Sequence, residues 1–440
     1  MSELPRKLGF LDTVSIIIGI VIGSGIFVLP NVIAKALPSA GAIFGAWVLA
    51  GVLSFCGALA YAELGAMLPR TGGDYVFLRV AYGPLWAFAC AWTLMLAVLA
   101  GGSAWLAVTF SMYASYFVPL TPVASKGVSI ALIAILSAVN YVGVKAGARV
   151  QVTLTILKIA AVVVLVTGAF LANGRPDLTP MAASGEPISL ANFGFAMSAC
   201  LMAYNGWSYV SFVAGEVRNP ERNLLRALVG GMAAVAALYL LANAAYLRVM
   251  TIPEIAAAKR VAADVAARTM GTAGGAFVSA AVLLSVAGAL NGCILTAARI
   301  PFAQARDGLF FARFGSVHPR FQTPATAISW AAVWTSILVI TGSYETLYSY
   351  TIVAAWIFYT MAVAAVFILR RRLPDAPRPY RMWGYPWTAA LFIGVSAWFI
   401  ANAVATQRRP SLMALLIIGS GVAAYYLWCA GSRRTRRSPS

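Results

Sequence analysis

The sequence is poor in charged residues and in the residue types that bind metals. Only 10% of its 440 residues are Asp, Glu, Lys or Arg, against roughly 25% in soluble domains. It contains one histidine, His318, and five cysteines, none of which has the spacing of a metal site. This composition excludes a soluble globular domain, and we expect neither a metal site nor a cofactor.

The same scarcity argues against catalysis inside the membrane. An intramembrane enzyme needs a nucleophile with its base, or a metal cluster, at mid-membrane depth. The lone histidine lies beside Pro319 in a predicted loop, and no Asp–Asp or His–Glu pair with catalytic spacing occurs inside the apolar runs. We therefore expect that the protein is not an enzyme.

Hydrophobic residues, by contrast, make up 61% of the chain and fall in runs long enough to cross a bilayer, which takes about 20 residues each. We predict an all-α polytopic membrane protein with twelve transmembrane helices. The predicted spans are 11–36, 40–67, 84–118, 127–142, 149–172, 190–214, 224–249, 274–304, 325–341, 345–370, 387–405 and 411–430.

The net charge of +19 reflects orientation in a membrane rather than binding to nucleic acid. Most of the 32 Lys and Arg residues lie in loops on the side that also carries both termini. The positive-inside rule places that side in the cytoplasm. We expect a multi-pass protein of the inner (plasma) membrane, with the basic cytoplasmic tail 431–440 contacting the lipid bilayer and no nucleic-acid partner.

Two predicted spans carry a polar, glycine-containing interruption at mid-depth. In span 1 it is Gly23-Ser24-Gly25, and in span 6 it lies within 203–208. A broken helix survives in hydrocarbon only where it lines an enclosed cavity, and its free N–H groups can bind an anionic group such as a carboxylate. The alternative for span 1 is close helix packing through Gly19 and Gly23.

The interruptions fall in spans 1 and 6 of twelve, so corresponding breaks are five spans apart. This is the layout of an inverted repeat with a binding site near the membrane midplane. We predict a first repeat over residues 1–172 (helices 1–5), a second over 190–370 (helices 6–10), and peripheral helices 11 and 12 over 387–430.

Lys158 is an ionisable residue inside a span. It lies about nine residues into span 5, which is roughly 13 Å at the helical rise per residue and too deep for easy snorkelling. Such residues are costly in a membrane and usually functional. Lys158 could carry a proton through a transport cycle or remain as a permanent structural charge, and the residues alone leave both open.

The side-chain pocket of a mid-membrane site is predicted from span 6. Trp207 and Ser208 follow the second interruption and could line such a pocket, although ordinary packing between helices is an equal alternative. Spans 1, 3, 6, 8 and 10 contain no acidic residue at mid-depth. A cationic side chain would lack a counter-ion there, which favours neutral amino acids over arginine or lysine. We expect small or medium-sized substrates.

Six short motifs occur in order along spans 1 to 10, and together they resemble the amino acid–polyamine–organocation superfamily. The closest branch is the L-type amino acid transporters, of which this would be a prokaryotic member. The motifs are 22–27 (IGSGIF), 72–75 (GGDY), 147–151 (GARVQ), 203–207 (AYNGW), 288–292 (GALNG) and 305–308 (ARDG).

The resemblance implies a LeuT-type fold, in which a 5+5 inverted repeat with helices 1 and 6 unwound is followed by two peripheral helices. It also implies alternating access for an amino acid substrate. The implied donors to the α-carboxylate are the N–H groups of Gly23, Ser24 and Gly25. The implied acceptors for the α-ammonium are the carbonyls of Val21, Met202 and Asn205.

Further roles follow from the resemblance alone. Trp356 matches a pocket aromatic of span 10, and Lys158 takes a sodium-site position between the span 1 break and Ser285 in span 8, which implies sodium-independent transport. Eukaryotic heterodimers of the family use a cysteine after span 3 to join a glycoprotein. No cysteine occurs at 118–127, so no disulfide-linked ancillary subunit is expected.

Taken together, these observations predict a secondary transporter, with sodium-independent exchange or uptake of neutral L-amino acids. The alternative is a proton-coupled symporter of amino acids or amines with broader specificity. A nutrient sensor on a transporter scaffold is a third possibility, because a fold does not determine its function.

Overall fold

The computed structural model describes residues 3–172, 189–342, 344–406 and 408–435, and the named secondary-structure elements among these residues are all helices. The α-helices are α1 (Phe10–Val21), α2 (Gly25–Val28), α3 (Pro30–Ala36), α4 (Ala40–Met67), α5 (Asp74–Tyr82), α6 (Pro84–Thr93), α7 (Leu99–Ala114), α8 (Pro122–Val142), α9 (Val144–Leu171), α10 (Leu190–Ala203), α11 (Pro220–Val249), α12 (Ile252–Ala257), α13 (Val261–Met270), α14 (Ala273–Ala297), α15 (Arg299–Arg306), α16 (Ala325–Thr341), α17 (Tyr344–Arg372), α18 (Trp387–Thr406) and α19 (Arg408–Thr435). A π-helical turn (Leu94–Val98) joins α6 to α7, and 3-10 helices cover Trp207–Glu216 and Ala312–Gly315.

Ten helical stretches in the described part of the chain are long and apolar enough to cross a membrane. One more apolar helix, α16, has 17 residues. The prediction of an all-α polytopic membrane protein is therefore confirmed. The count of twelve spans stays a prediction, because the sixth predicted span is divided into α10 and a 3-10 helix.

Three helices begin four or five residues earlier than the sequence predicts. They begin at Pro122, Val144 and Pro220 rather than at 127, 149 and 224. Before Pro122 the Thr121 side chain accepts a hydrogen bond from the N–H of Ala124, and proline at a first helical position has no N–H that would need an acceptor. The predicted boundaries followed the apolar runs and so omitted these polar first turns.

The two ends of the chain lie at the same end of the helical bundle. Arg6 and Asp307 line one small cavity, and the Trp428 indole near the end of α19 donates to the carbonyl of Gly308, 3.1 Å away. We call this the N-terminal end. Of the predicted basic tail, residues 436–440 lie outside the described residues.

The opposite end of the bundle carries the short helices α12 and α13. A capping box begins α12, in which Thr251 and Glu254 each accept the other's backbone N–H. The Asn31 side chain, on α3, donates to the carbonyl of Ala258 between these two helices at 2.9 Å. The C-terminal half of the first predicted span is thereby joined to α12 and α13.

Candidate functional site between two interrupted helices

The chain leaves the helical conformation at mid-depth in two places. Helix α1 ends at Val21, residues 22–24 are non-helical, and α2 begins at Gly25. Helix α10 ends at Ala203, and a turn over 204–206 leads into the 3-10 helix that begins at Trp207. Both places coincide with the glycine-containing interruptions in the sequence.

The two interruptions pack directly against each other, which requires glycine. Gly206 has a φ of 112°, and a Cβ there would lie 2.5 Å from the Cγ2 atom of Ile20. A Cβ at Gly25 would lie 3.2 Å from the Cα atom of Ala203. Any side chain at these glycines would therefore force the two segments apart.

Close helix packing explains one glycine of span 1 but not the other. A Cβ at Gly19 would lie 1.9 Å from Nε2 of Gln151 and 2.6 Å from Oγ1 of Thr155, both on α9. A Cβ at Gly23 would meet its nearest atom only at 3.8 Å. Gly19 is therefore a packing residue, whereas Gly23 has room around it and belongs to the non-helical segment.

The Lys158 ammonium bonds to carbonyls that the break in α1 leaves without helical partners. Its Nζ atom donates to the carbonyls of Gly19 at 2.7 Å and Ile22 at 2.6 Å, and to that of Ser285 at 2.8 Å. Lysine has three N–H donors, so all three are used. The side chain is fully buried and joins α1, α9 and α14 at one point.

Ser285 on α14 completes this connection. Its hydroxyl lies 2.8 Å from the carbonyl oxygen of Ile22 and 2.9 Å from that of Gly23. In a membrane, backbone groups released from a helix need such partners, because an unpaired polar group costs several kcal/mol there. Two intact helices thus provide hydrogen-bond donors to the broken one.

Tyr239 on α11 connects both interruptions, a role that the sequence did not reveal. Its hydroxyl lies 2.7 Å from the carbonyl oxygen of Val21 and 2.9 Å from that of Ala203. About two helical turns further on, the Tyr246 hydroxyl donates to the Ile26 carbonyl at 3.2 Å. A tyrosine within an apolar helix gives no signal that distinguishes this role from core packing.

The N–H groups of the first interruption are only partly engaged. Gly23 donates to the Val21 carbonyl two residues earlier, at 2.8 Å. The N–H groups of Ser24 and Gly25 have no hydrogen-bond partner among the described residues. Two of the three predicted carboxylate donors are therefore available to a ligand, and the third is held within the chain.

A cavity of about 140 Å³ lies between the interruptions and extends toward the end opposite the N-terminal end. Its lining residues include six of the predicted substrate-binding residues, namely Val21, Gly23, Ser24, Gly25, Met202 and Asn205. The rest of the lining is Ile20, Val28, Leu29, Val98, Leu99, Gly102, Trp105, Leu106, Ala203, Gly206, Tyr209, Cys293, Ile352 and Ala355. None of these lining residues carries a charge, and no cluster of metal-binding side chains occurs among the described residues.

Three other predicted residues lie outside this lining. Trp207 packs edge-on against Tyr61, with ring centroids 4.9 Å apart. Trp356 packs against Phe399 at 5.1 Å. The Ser208 hydroxyl is buried, without a hydrogen-bond partner among the described residues. In this conformation none of the three faces the cavity, and their assignment to a substrate pocket stays a prediction.

An aromatic cluster fills the bundle between the cavity and the N-terminal end. Its members lie on α4, α5, the 3-10 helix, α17 and α18, and their rings contact one another at 4.9–6.5 Å. The aromatic cluster consists of Tyr61, Phe77, Trp207, Tyr359 and Phe392. All five side chains are buried, so the bundle is closed on this side of the cavity.

A cavity at two facing helix interruptions, inside a bundle of apolar helices, is the arrangement of a substrate site in a membrane transporter. The chain belongs to the amino acid permease family, whose sequence profile, described as "Amino acid permease", matches residues 8–423. It is 34% identical over 429 residues to the "Serine/threonine exchanger SteT" of Bacillus subtilis (strain 168), a match that covers 97% of each chain.

Two human relatives are similar over nearly the whole chain. The chain is 31% identical to "b(0,+)-type amino acid transporter 1", over 97% of this chain and 88% of the relative. It is also 31% identical to the "Cystine/glutamate transporter", over 99% and 87% respectively. These matches confirm the resemblance to the amino acid–polyamine–organocation superfamily, and the family and these relatives are transporters rather than enzymes.

Proposed function

We propose that the protein is a sodium-independent exchanger of small or medium-sized neutral L-amino acids that works by alternating access. The observation that carries this proposal is the cavity between the two interrupted helices. It offers backbone donors and acceptors, and its described lining holds no charged side chain. The ammonium and carboxylate groups of a zwitterion complement such backbone groups. The lining offers no charged partner for a charged substrate side chain.

The carboxylate of the substrate binds at the first interruption. Ser24 and Gly25 line the cavity, and their N–H groups lack partners among the described residues. An anion is the ligand that free backbone N–H groups favour. Gly23 contributes a third donor when its N–H turns from the Val21 carbonyl toward the ligand. We expect that turn to accompany substrate binding.

The ammonium of the substrate binds to carbonyl groups of Val21, Met202 and Asn205, which all line the cavity. The Tyr239 hydroxyl lies within hydrogen-bond distance of two carbonyl oxygens, those of Val21 and Ala203. A hydroxyl has one hydrogen to donate. When it donates to Ala203, the Val21 carbonyl is left available to an incoming ammonium.

The size and lining of the cavity favour small or medium-sized neutral side chains. Its volume of about 140 Å³ is below the roughly 300–1,000 Å³ of pockets for larger ligands. Met202 is a flexible thioether at the edge of this space and can adapt to side chains of different shape. Trp207, Ser208 and Trp356 would contribute to the pocket only in another conformation of the cycle.

The relatives do not decide the substrate. One is named for serine and threonine, and another for cystine and glutamate. A negatively charged side chain such as that of glutamate needs a cationic partner, and the described lining residues include none. The choice of neutral substrates therefore rests on the cavity of this chain.

The buried ammonium of Lys158 accounts for transport without sodium. It occupies the position between the first interruption and Ser285 with a fixed positive charge, which would repel a metal cation there. Because its three donors are all used, loss of a proton would leave one carbonyl unpaired. A permanent charge is thus favoured over proton transport by Lys158, and proton-coupled uptake is the second candidate function.

The proposal includes the arrangement of the chain in the membrane. Residues 1–172 and 190–370 form the two inverted repeats, with helices 11 and 12 over 387–430 at the periphery. Both termini lie in the cytoplasm, which is supported by their position at one end of the bundle and by the basic loops. No disulfide-linked subunit is required.

Radiolabelled uptake into proteoliposomes tests this function. Vesicles loaded with unlabelled alanine should take up labelled serine, alanine or leucine faster than empty vesicles, equally in sodium and in choline buffer. Arginine and glutamate should compete poorly. Uptake that requires a proton gradient but no internal amino acid would favour the symporter, and arginine as the best substrate would contradict the proposed specificity.

A further inference from the structure

Asp74 is a fully buried carboxylic acid that the proposed transport mechanism does not use. It is the first residue of α5, which connects the predicted spans 2 and 3 at the N-terminal end. Its exposed fraction is 0%, and neither carboxyl oxygen has a hydrogen-bond partner among the described residues. Buried carboxyl groups are normally paired or hydrogen-bonded, so an unpartnered one requires an explanation.

The groups that face Asp74 are neutral. Tyr61 faces it from α4, Cys90 from α6 and Tyr359 from α17. The cation on its own helix, Arg79, is instead paired with Asp307. Among the residues that the structure describes, Asp74 therefore has no counter-ion, and two of its neighbours belong to the aromatic cluster that closes the N-terminal end.

This environment favours the protonated acid. Burial raises the pKa of Asp74 from its ordinary value near 3.8 to about 7, and the nearby Tyr61 hydroxyl opposes this rise only in part. An ionised carboxylate would be stable once water reaches it. The closed N-terminal end thus binds a proton that an open, hydrated end releases.

We propose that Asp74 is a proton-binding site through which the pH at the N-terminal end controls the opening of that end. This inference rests on the proposed alternating access, and it adds a regulatory site to it. When the rings of the aromatic cluster move apart, water from the compartment at the N-terminal end reaches the carboxyl group of Asp74. Because Asp74 begins α5, which connects predicted spans 2 and 3 at the N-terminal end, it binds and releases its proton on that same side. The pH therefore changes the rate of exchange without moving protons across the membrane.

The direction of the effect follows from two pKa values of Asp74. In the closed end the pKa is about 7, and in the open, hydrated end it returns toward its ordinary value near 3.8. Above about pH 7 the acid is ionised in both conformations, so pH has little effect on their balance. Below about pH 7 the closed end binds more protons than the open end, and each unit of pH favours closure by up to about tenfold. Acidification at the N-terminal end should therefore slow exchange, with an onset near pH 7.

The experiment is amino acid exchange in proteoliposomes of a single orientation, checked by protease cleavage of a tag on the C-terminus. The pH inside and outside is set independently between about 5 and 8, a range that brackets the pKa of Asp74. We expect exchange by the unmodified protein to fall several-fold as the compartment at the N-terminal end is acidified. Asp74→Asn should exchange at a low rate that does not depend on pH, because the amide resembles the neutral acid, and Asp74→Glu should restore the dependence.

Glu221→Gln is the matched control, since Glu221 is a partly exposed carboxylate at the same end, and this variant should keep the pH dependence. The proposal is overturned if the dependence follows the pH of the opposite compartment or persists in Asp74→Asn. A transported proton, seen as amino acid accumulation driven by a pH gradient, would also overturn it. Absence of uptake at every pH would instead contradict the proposed function.

Hydrogen exchange provides a test that does not depend on transport. In detergent, the amides of α5 should become more protected below about pH 7 in the unmodified protein, after correction for the intrinsic exchange rates. In Asp74→Asn, their protection should not change with pH. Equal pH dependence in the two proteins contradicts the proposal, whether or not the variant transports.

Discussion

Arg299 donates two hydrogen bonds to the carboxylate of Glu216, from Nε at 2.7 Å and from Nη2 at 3.0 Å. The pair joins the end of the 3-10 helix to the start of α15, and both side chains are 0–1% exposed. Two parallel bonds of this kind are the strongest geometry for an arginine–carboxylate pair. The pair connects the sixth and eighth predicted spans at the N-terminal end.

Removal of one partner should therefore be costly. Glu216→Gln leaves the guanidinium buried without its counter-ion, and breaking a buried pair in this way costs about 3–5 kcal/mol of stability. Thermal unfolding in detergent measures the effect. The control is Glu254→Gln, which breaks the exposed pair with Arg268 and should cost less than about 1 kcal/mol. Equal losses in the two variants would contradict this account.

Lys158→Met should abolish most transport. The methionine has a similar length but donates no hydrogen bond, and each buried polar group left unpaired costs about 1–3 kcal/mol. Uptake of labelled amino acid should fall by more than about tenfold. Lys126→Met is the control, because that lysine is exposed and bonds only to the carbonyl of Ile340. Near-normal uptake by Lys158→Met would show that the carbonyls find other partners.

Tyr239→Phe should weaken substrate binding without unfolding the protein. The ring and its packing remain, but the hydroxyl within hydrogen-bond distance of a carbonyl in each interruption is lost. The carbonyl that loses its donor costs about 1–3 kcal/mol. We expect an increase of about tenfold in the half-saturating substrate concentration. Tyr426→Phe is the matched control, since Tyr426 is 60% exposed. An unchanged concentration dependence would mean that Tyr239 only packs.

Alanine substitutions at three glycines should differ in a defined order. Gly206→Ala should be the most damaging, because its Cβ would lie 2.5 Å from Ile20 at a positive φ. Gly25→Ala should be intermediate, with a contact at 3.2 Å, and Gly23→Ala the mildest, with its nearest contact at 3.8 Å. Uptake and thermal stability, measured together, separate binding from folding effects. A different order would show that conformation, rather than space, limits these positions.

Several features of the site were predictable because they violate the rules of an ordinary apolar span. Glycine and serine at mid-depth predicted where α1 ends, and an ionisable residue deep in span 5 marked Lys158 as special. Each of these residues is costly in hydrocarbon unless a specific partner is present. Local sequence was therefore sufficient to locate them, although not to identify their partners.

Other features depend on side-chain orientation and on the packing of distant helices, which the local sequence does not reveal. Trp207 follows the interruption directly, but the positive φ of Gly206 and the 3-10 helix turn its side chain toward Tyr61 instead of the cavity. Tyr239 has the composition of a core residue and acquires its role from the position of α11. Asp74 belongs to a glycine turn whose burial is apparent only when α4, α6 and α17 are assembled around it.

The contact between Gly19 and Gln151 has a consequence for natural variation in this family. Because the glutamine amide occupies the space in which a methyl group at position 19 would lie, a change at one position affects the other. A homologue with alanine at the first position needs a shorter residue at the second, a wider separation of these two helices, or a glutamine that moves aside and gives up its contact with Asn291. In an alignment of many homologues, the two columns should covary by size.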